Sequence, residues 1–338
     1  MNYIHIGYPK CLSTSLQVDF FSKHSQLDHL GIGYNGENLK YRSSILNVYL
    51  EALLKARDIE FTHIHNNLFK TICDEITSSS GISHENLSFR FSNEDVDISQ
   101  KVDRLYSLFG NETKIIVIIR NQAALLKSLY KESLKTGLAI DYCDYINTLY
   151  RNKFHSYLND FKYDTIIDYF SNKFDSKNIL ILPIESYLRD KSLIKNQSKY
   201  SLLQEICSFL NIKYETIVLN TNNVSINDIE AYHLLELNKK YRYNLNKGSY
   251  SLVDIHKYKN VFDYIEYDES DIYFDVKLKR LLVENAKEKA KTDFREIDYY
   301  ADPIILSKIK NMYIESNKRL QNKYGIALPD SYFEVSFK

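Results

Sequence analysis

The residues best equipped for chemistry lie near the N-terminus, in Gly7-Tyr8-Pro9-Lys10-Cys11-Leu12-Ser13-Thr14-Ser15-Leu16-Gln17. The run at 2–7 reads as a short buried strand, and 13–21 as an amphipathic helix. A loop between two such elements aims backbone N–H groups outward at the helix N-terminus, where the dipole favours an anion. Lys10 adds a cation, and Ser13, Thr14 and Ser15 add hydroxyl donors, while Cys11 and Leu12 offer their backbone. The segment is a cradle for a phosphate-like group. Its plainer alternative is an ordinary strand–helix turn with a Ser/Thr cap. Three phosphate chemistries fail on spacing. A nucleoside-triphosphate loop, GxxxxGK[ST], puts its second glycine at Leu12 and its lysine at Ser13. A cysteine phosphatase built on Cys11 needs an arginine where Gln17 stands. A dinucleotide fingerprint needs three glycines, and this loop has one.

A second cluster follows the continuous apolar run KIIVII at 114–119, which reads as a parallel strand covered on both faces. Arg120 ends it, then Asn121, with Ser128 and Tyr130 on the helix that follows from about Ala123 to Lys135. Arginine offers a planar fork of donors suited to phosphate. Ser128, two helical turns on, can present its hydroxyl to the same anion. The alternative for Arg120 is an ion pair capping a buried strand.

Together these residues resemble the sulfotransferases that use 3′-phosphoadenosine-5′-phosphosulfate (PAPS). Gly7, Pro9, Lys10, Ser13, Thr14 and Leu16 fit that family's 5′-phosphosulfate loop, and Arg120, Asn121, Ser128 and Tyr130 fit its second signature. Two departures are Leu12, where the family carries a small residue, and Gln122, where it carries proline. The segments ILILPIESYLRD and LLQEICSFLNI resemble the family's strand–Glu–helix region, and the tail SNKRLQNKYGIAL resembles bacterial carbohydrate sulfotransferases. The resemblance implies a P-loop-like, three-layer α/β fold with a central parallel sheet flanked by helices. It implies PAPS as co-substrate, 3′,5′-adenosine bisphosphate (PAP) as product and no metal. It also implies a carbohydrate or other hydroxyl-bearing acceptor. Lys10 is then the leaving-group stabiliser, the loop from Lys10 to Ser15 binds the phosphosulfate, and Arg120 with Ser128 binds the 3′-phosphate.

The family places a His or Glu base near the end of the strand before the arginine-bearing one. With LSFRFS (87–92) read as that strand, Ser92-Asn93-Glu94 puts Glu94 in the role; its alternative is a helix N-terminal carboxylate. His63 and His65 are rivals, because in a strand they share one face. His24 reads as a surface or capping residue, Glu37 as part of a Gly-rich polar loop that borders the acceptor, and Glu185 as a structural contact. Two other functions stay open: a PAP-binding protein without catalysis, and a kinase-like phosphate-binding enzyme.

The elements that must position these groups alternate between strand and helix up to residue 185, with strands at 2–7, 87–92, 114–119 and 178–183. Phe61 to Ile64 fits either a strand or a helix entry. Residues 43–57, 99–109, 142–158, 164–174 and about 200–210 read as helices, as do 226–240, 275–291 and 303–324. The expectation is one domain over 1–338, with a nucleotide-binding core at 1–185 and helical elaboration at 186–338. Composition agrees: 338 residues with only 9 Gly and 4 Pro suit a helix-rich chain. Forty-four basic residues balance 44 acidic ones, which argues against a nucleic-acid binder. Four scattered cysteines, no signal-peptide pattern and no membrane-spanning run place the expected protein in the cytoplasm. The 29 tyrosines read mainly as core, with Tyr264, Tyr267, Tyr273, Phe262 and Phe274 the best place for sugar stacking.

Overall fold

The computed structural model describes residues 1–32, 40–90, 96–188, 197–219, 225–245 and 269–334. Its centre is a six-stranded sheet formed by β1 (Tyr3–Gly7), β2 (Asp28–Ile32), β3 (Lys40–Tyr41), β4 (Ser80–Ser83), β5 (Lys114–Ile119) and β6 (Ile179–Pro183). The order across the sheet is β3-β2-β4-β1-β5-β6. Every neighbouring pair is parallel except β2 with β3, which is an antiparallel edge. Parallel strands need crossover connections, and the helices between them flank the sheet, as expected for this α/β fold.

β5 lies between β1 and β6, paired from Tyr3↔Lys114 to Gly7↔Ile118 on one side and from Ile115↔Ile179 to Ile119↔Pro183 on the other. Its β-branched residues Ile115 to Ile119 are wholly buried, which is why the run carries no polar alternation. α1 begins as Ser13–Ser15 and continues in π geometry over Leu16–Phe21, burying Leu16, Phe20 and Phe21. α2 (Ser44–Lys55) is capped by Ser43, whose Oγ accepts from Leu46 N at 3.1 Å. α3 (Asp58–Glu75) starts with Asp58 and Glu60 at its positive end. α4 (Ile98–Phe109) opens with a capping box of Asp97 and Gln100. α5 (Gln122–Lys135) is capped by Asn121, whose Oδ1 accepts from Ala124 N at 3.0 Å.

α6 (Tyr142–Arg151) and α7 (Tyr163–Phe174) precede β6. α8 (Glu185–Leu188), α9 (Gln197–Leu210), α10 (Asp228–Leu245), α11 (Glu269–Ala290) and α12 (Pro303–Tyr324) follow it. Among the described residues no strand follows β6, so the C-terminal half is helical as expected. No helix of the described residues is long and apolar enough to cross a membrane.

Two readings of the sequence are corrected, the strand at 87–92 and the helix at 142–158, and two that stood open are decided. Residues 87–90 are not a strand: Glu85–Leu87 is a 3₁₀ turn that runs into irregular backbone. The strand beside β1 is β4, Ser80–Ser83. Phe61 to Ile64 belong to α3. The helix read over 142–158 stops at Arg151, where Ser156 Oγ donates to Leu149 O at 3.1 Å and the turns that follow bury Tyr157 and Leu158. Of the two readings of His24 the capping one holds: the ring is buried and accepts from Gln26 N at 3.2 Å.

Candidate active site

Because β1, β4, β5 and β6 run parallel, their C-terminal ends open at one edge of the sheet. This is where open α/β sheets bind ligands. The edge carries Tyr8 to Leu12 after β1, His84 and Glu85 after β4, Arg120 after β5 and Glu185 after β6.

The loop after β1 is held by geometry. Lys10 (φ 61) and Leu12 (φ 63) are both left-handed, a conformation unfavourable for L-residues with side chains. Leu12 partly buries its side chain against the core, which offsets that strain. Gly7 has no alternative, since a Cβ there would overlap Ser13 Oγ and crowd the His5 ring. Tyr8 anchors the loop: its hydroxyl donates to Asp160 O at 3.0 Å, and its ring meets Tyr163 edge-on at 4.7 Å. Tyr163 in turn donates to Arg120 O at 2.5 Å, so one buried tyrosine pair ties the loop to the end of β5.

The charged groups meet at this loop. Lys10 Nζ donates to Glu132 Oε2 at 2.7 Å, and Lys135 donates to the same oxygen at 3.0 Å. Glu132 stands four residues after Ser128 and so shares its face of α5. Burial works to raise the Glu132 carboxyl, but Lys10 and Lys135 outweigh it and hold it below the ordinary value. Arg120 Nη1 donates to Lys10 O at 3.1 Å, so the loop and the arginine are directly linked. Ser13 is buried and donates to Tyr8 O at 3.3 Å, and Ser128 is also buried.

Sequence reasoning missed one residue here. Glu85, half-buried at the end of β4, has its carboxyl pushed up to about 7. Burial is the main cause; Lys10 and a hydrogen bond from Ser13 oppose it, and Glu132 adds to it. The turn that carries Glu85 is fastened on three sides. His84 N donates to His5 O at 3.1 Å, and Ser88 Oγ donates to Gly7 O at 3.3 Å. The fully buried Lys101 of α4 donates to Asn86 O at 2.6 Å and to Phe89 O at 3.2 Å. Gln17 Nε2 of α1 donates to Ser83 O at 3.2 Å, closing the connection between the two strand ends. A carboxyl near 7, touching the loop hydroxyl and beside its lysine, can exchange a proton at neutral pH.

Glu94 and Glu37 lie outside the described residues, as do Tyr264, Tyr267 and Phe262. His63 and His65 sit on α3 rather than a strand, so they diverge. His63 is exposed beside Asn67, while His65 Nδ1 shares a hydrogen bond with Tyr49 OH at 2.7 Å. Among the described residues no group of three His, Cys, Asp or Glu is placed to hold a metal ion. Cys11 is buried and donates to Pro9 O at 3.6 Å; burial pushes its thiol up, which suits packing rather than nucleophilic attack. Glu185 is structural, as expected: it accepts from Asn121 N at 2.8 Å and from Tyr332 OH at 2.7 Å. Gln122 is buried and exchanges hydrogen bonds with Asn317 of α12 at 2.8 and 3.1 Å, so it anchors the last helix beside the arginine.

No family model and no curated protein sequence matches the chain. Among solved structures it is similar to the crystal structure of a sulfotransferase from Alicyclobacillus acidocaldarius, at 13% identity and a TM-score of 0.43. The match covers 71% of this chain and 95% of that one.

Proposed function

We propose that the chain is a cytoplasmic sulfotransferase that moves a sulfuryl group from PAPS to a hydroxyl of a carbohydrate acceptor. The observation that carries the reading is the linked pair of cations, Lys10 and Arg120, beside a carboxyl poised near neutrality at Glu85. The donor set fits a nucleotide with two separate anionic groups. Lys10, Ser13, Thr14 and the loop N–H groups from Cys11 to Ser15 take the phosphosulfate, while Arg120 and Ser128 take the 3′-phosphate. When bound, PAPS supplies the sulfuryl group: its sulfur–oxygen bond to the 5′-phosphate breaks as the acceptor oxygen forms the new one, and PAP leaves.

The protein's own residues then do three things. Lys10 exchanges Glu132 for the developing charge on the leaving phosphate, and Lys135 keeps Glu132 paired meanwhile. Such fixed charge, aimed where charge develops, is a large term in transfer reactions of this type. Glu85, as carboxylate, accepts the acceptor's hydroxyl proton. We assign it the role that the family resemblance implied for Glu94, since Glu85 follows β4, the strand that pairs with β1 on the side away from β5. Tyr8, Tyr163 and Lys101 hold these groups in register.

The test is transfer of labelled sulfate from PAPS to a panel of glycans. Wild-type protein transfers label and Lys10→Ala does not; an inactive wild type, with the nucleotide demonstrably bound, leaves a binding protein instead.

A further inference from the structure

A second site lies on the other side of α5. Tyr130 is two residues from both Ser128 and Glu132, about 200° around the helix, so it faces away from the Lys10 cluster. There it borders a cavity of about 260 Å³ between α5, the start of α6, α10 and residues 297–300. Five tyrosines line it: Tyr130, Tyr142, Tyr232, Tyr299 and Tyr300. Tyr142 meets Tyr130 at 5.2 Å and Tyr299 at 5.3 Å, both edge-on, giving a rigid inner wall. Tyr300, 66% exposed, stands at the mouth.

The lining selects against charge of either sign. Asp141 and Asp298 border the cavity, which disfavours an anion such as a nucleotide or sulfate. Cations already occupy two of the rings: Lys127 Nζ lies 4.2 Å from the centre of Tyr299, and Arg295 lies 4.8 Å from that of Tyr232. A ligand cation would meet like charge at both. What remains favourable is a neutral ring with an apolar face for the tyrosines and hydroxyls for the acids. Asp141 Oδ1 accepts from Asp144 N at 2.9 Å to cap α6, and its second oxygen remains an acceptor. The Tyr299 hydroxyl, buried beside Asp228, makes no hydrogen bond of good geometry, an unusual state for a buried polar group. The volume falls below the roughly 300–1,000 Å³ of drug-sized sites, which suits one small ring.

We propose that this cavity binds one neutral sugar ring, separately from the site at Lys10 and Arg120. The proposal concerns binding alone and does not depend on sulfuryl transfer.

The experiment is saturation-transfer NMR and calorimetry on the full chain, without nucleotide. The probes are glucose, galactose, mannose and N-acetylglucosamine, with choline as the cationic control. At least one neutral sugar binds. Tyr300→Ala, at the exposed ring, weakens it tenfold or more at unchanged melting temperature; Tyr232→Ala, at the half-buried ring that carries Arg295, weakens it by as much, while Arg120→Ala leaves it within twofold. The proposal is overturned if none of the four sugars binds. It is equally overturned if choline binds in their place, or if sugar binding ignores both tyrosine variants and is lost in Arg120→Ala.

Discussion

Arg120 Nη1 donates to the carbonyl oxygen of Lys10 at 3.1 Å, so the two cations of the candidate active site are one mechanical unit. On the proposed function, replacing the arginine removes a phosphate ligand, and it also frees the backbone of Lys10. Hydrogen bonds to charged groups contribute roughly 1.5–3 kcal/mol. Arg120→Ala is therefore expected to weaken PAP binding about 10- to 100-fold. Contacting residues couple by roughly 0.5–3 kcal/mol. Lys10→Ala and Arg120→Ala are accordingly expected to be less than additive when combined, as read by calorimetry on the two single variants and the double.

Glu85 sets the pH dependence. Its carboxyl, pushed up to about 7, acts as a base only when ionised, so kcat/KM falls as pH drops through about 7. Glu85→Gln removes that acid limb and lowers the plateau by roughly 10²- to 10⁴-fold. Glu132 raises the Glu85 carboxyl, so Glu132→Gln moves the limb to lower pH while Glu85 remains in place. A limb that stays at the same pH in Glu132→Gln, or survives in Glu85→Gln, assigns the base elsewhere.

Buried histidines make the fold sensitive to acid. His5 lies under the anion loop, with Nδ1 bonded to Ser83 Oγ at 2.7 Å and no partner for Nε2. Burial lowers His5 and His84 to about 3 and His29 to about 4, from 6.5. Above about pH 6.5 they are neutral in both folded and unfolded chains. Below it the unfolded chain gains protons that the folded chain refuses, and stability falls by up to about 1.4 kcal/mol per pH unit for each. Glu85 opposes this with one proton, because its raised value stabilises the fold between about 7 and 4.5 as pH falls. The net expectation is a urea midpoint that drops from pH 6.5 to pH 4.5. A flat or rising midpoint contradicts the neutral buried state of these rings.

What the sequence made legible depends on where apolarity alone decides. KIIVII is a β-branched run buried on both faces, and its end fixed Arg120 without ambiguity. The Gly7-to-Leu16 loop was legible because Gly7 and Pro9 mark backbone demands that few other residues meet. β4 was not, because its sequence is Ser-Gly-Ile-Ser. Gly81 is required for a reason outside the strand: a Cβ there would overlap the Tyr3 ring of β1. The strand reading failed over 87–90 because Leu87 and Phe89 both plug the core from a turn held by Lys101, which mimics alternation. Glu94, the base that reading implied, lies outside the described residues, whereas Glu85 follows β4 directly. The histidine pair failed likewise, since α3 turns His63 outward and His65 toward Tyr49. Among the described residues the tyrosines are largely core, with Tyr3, Tyr8, Tyr49, Tyr163, Tyr313 and Tyr332 fully buried, as their spacing indicated.

If Lys10 and Arg120 grip the two anions of one nucleotide, thermal unfolding with PAP, 5′-AMP and Mg-ATP ranks the three ligands. PAP at 100 times its Kd should stabilise the wild type by about 2.7 kcal/mol. AMP, which lacks the 3′-phosphate, should bind at least tenfold more weakly than PAP. Arg120→Ala should erase that difference. Stabilisation by Mg-ATP with none by PAP would rule out that grip and return the loop to triphosphate chemistry.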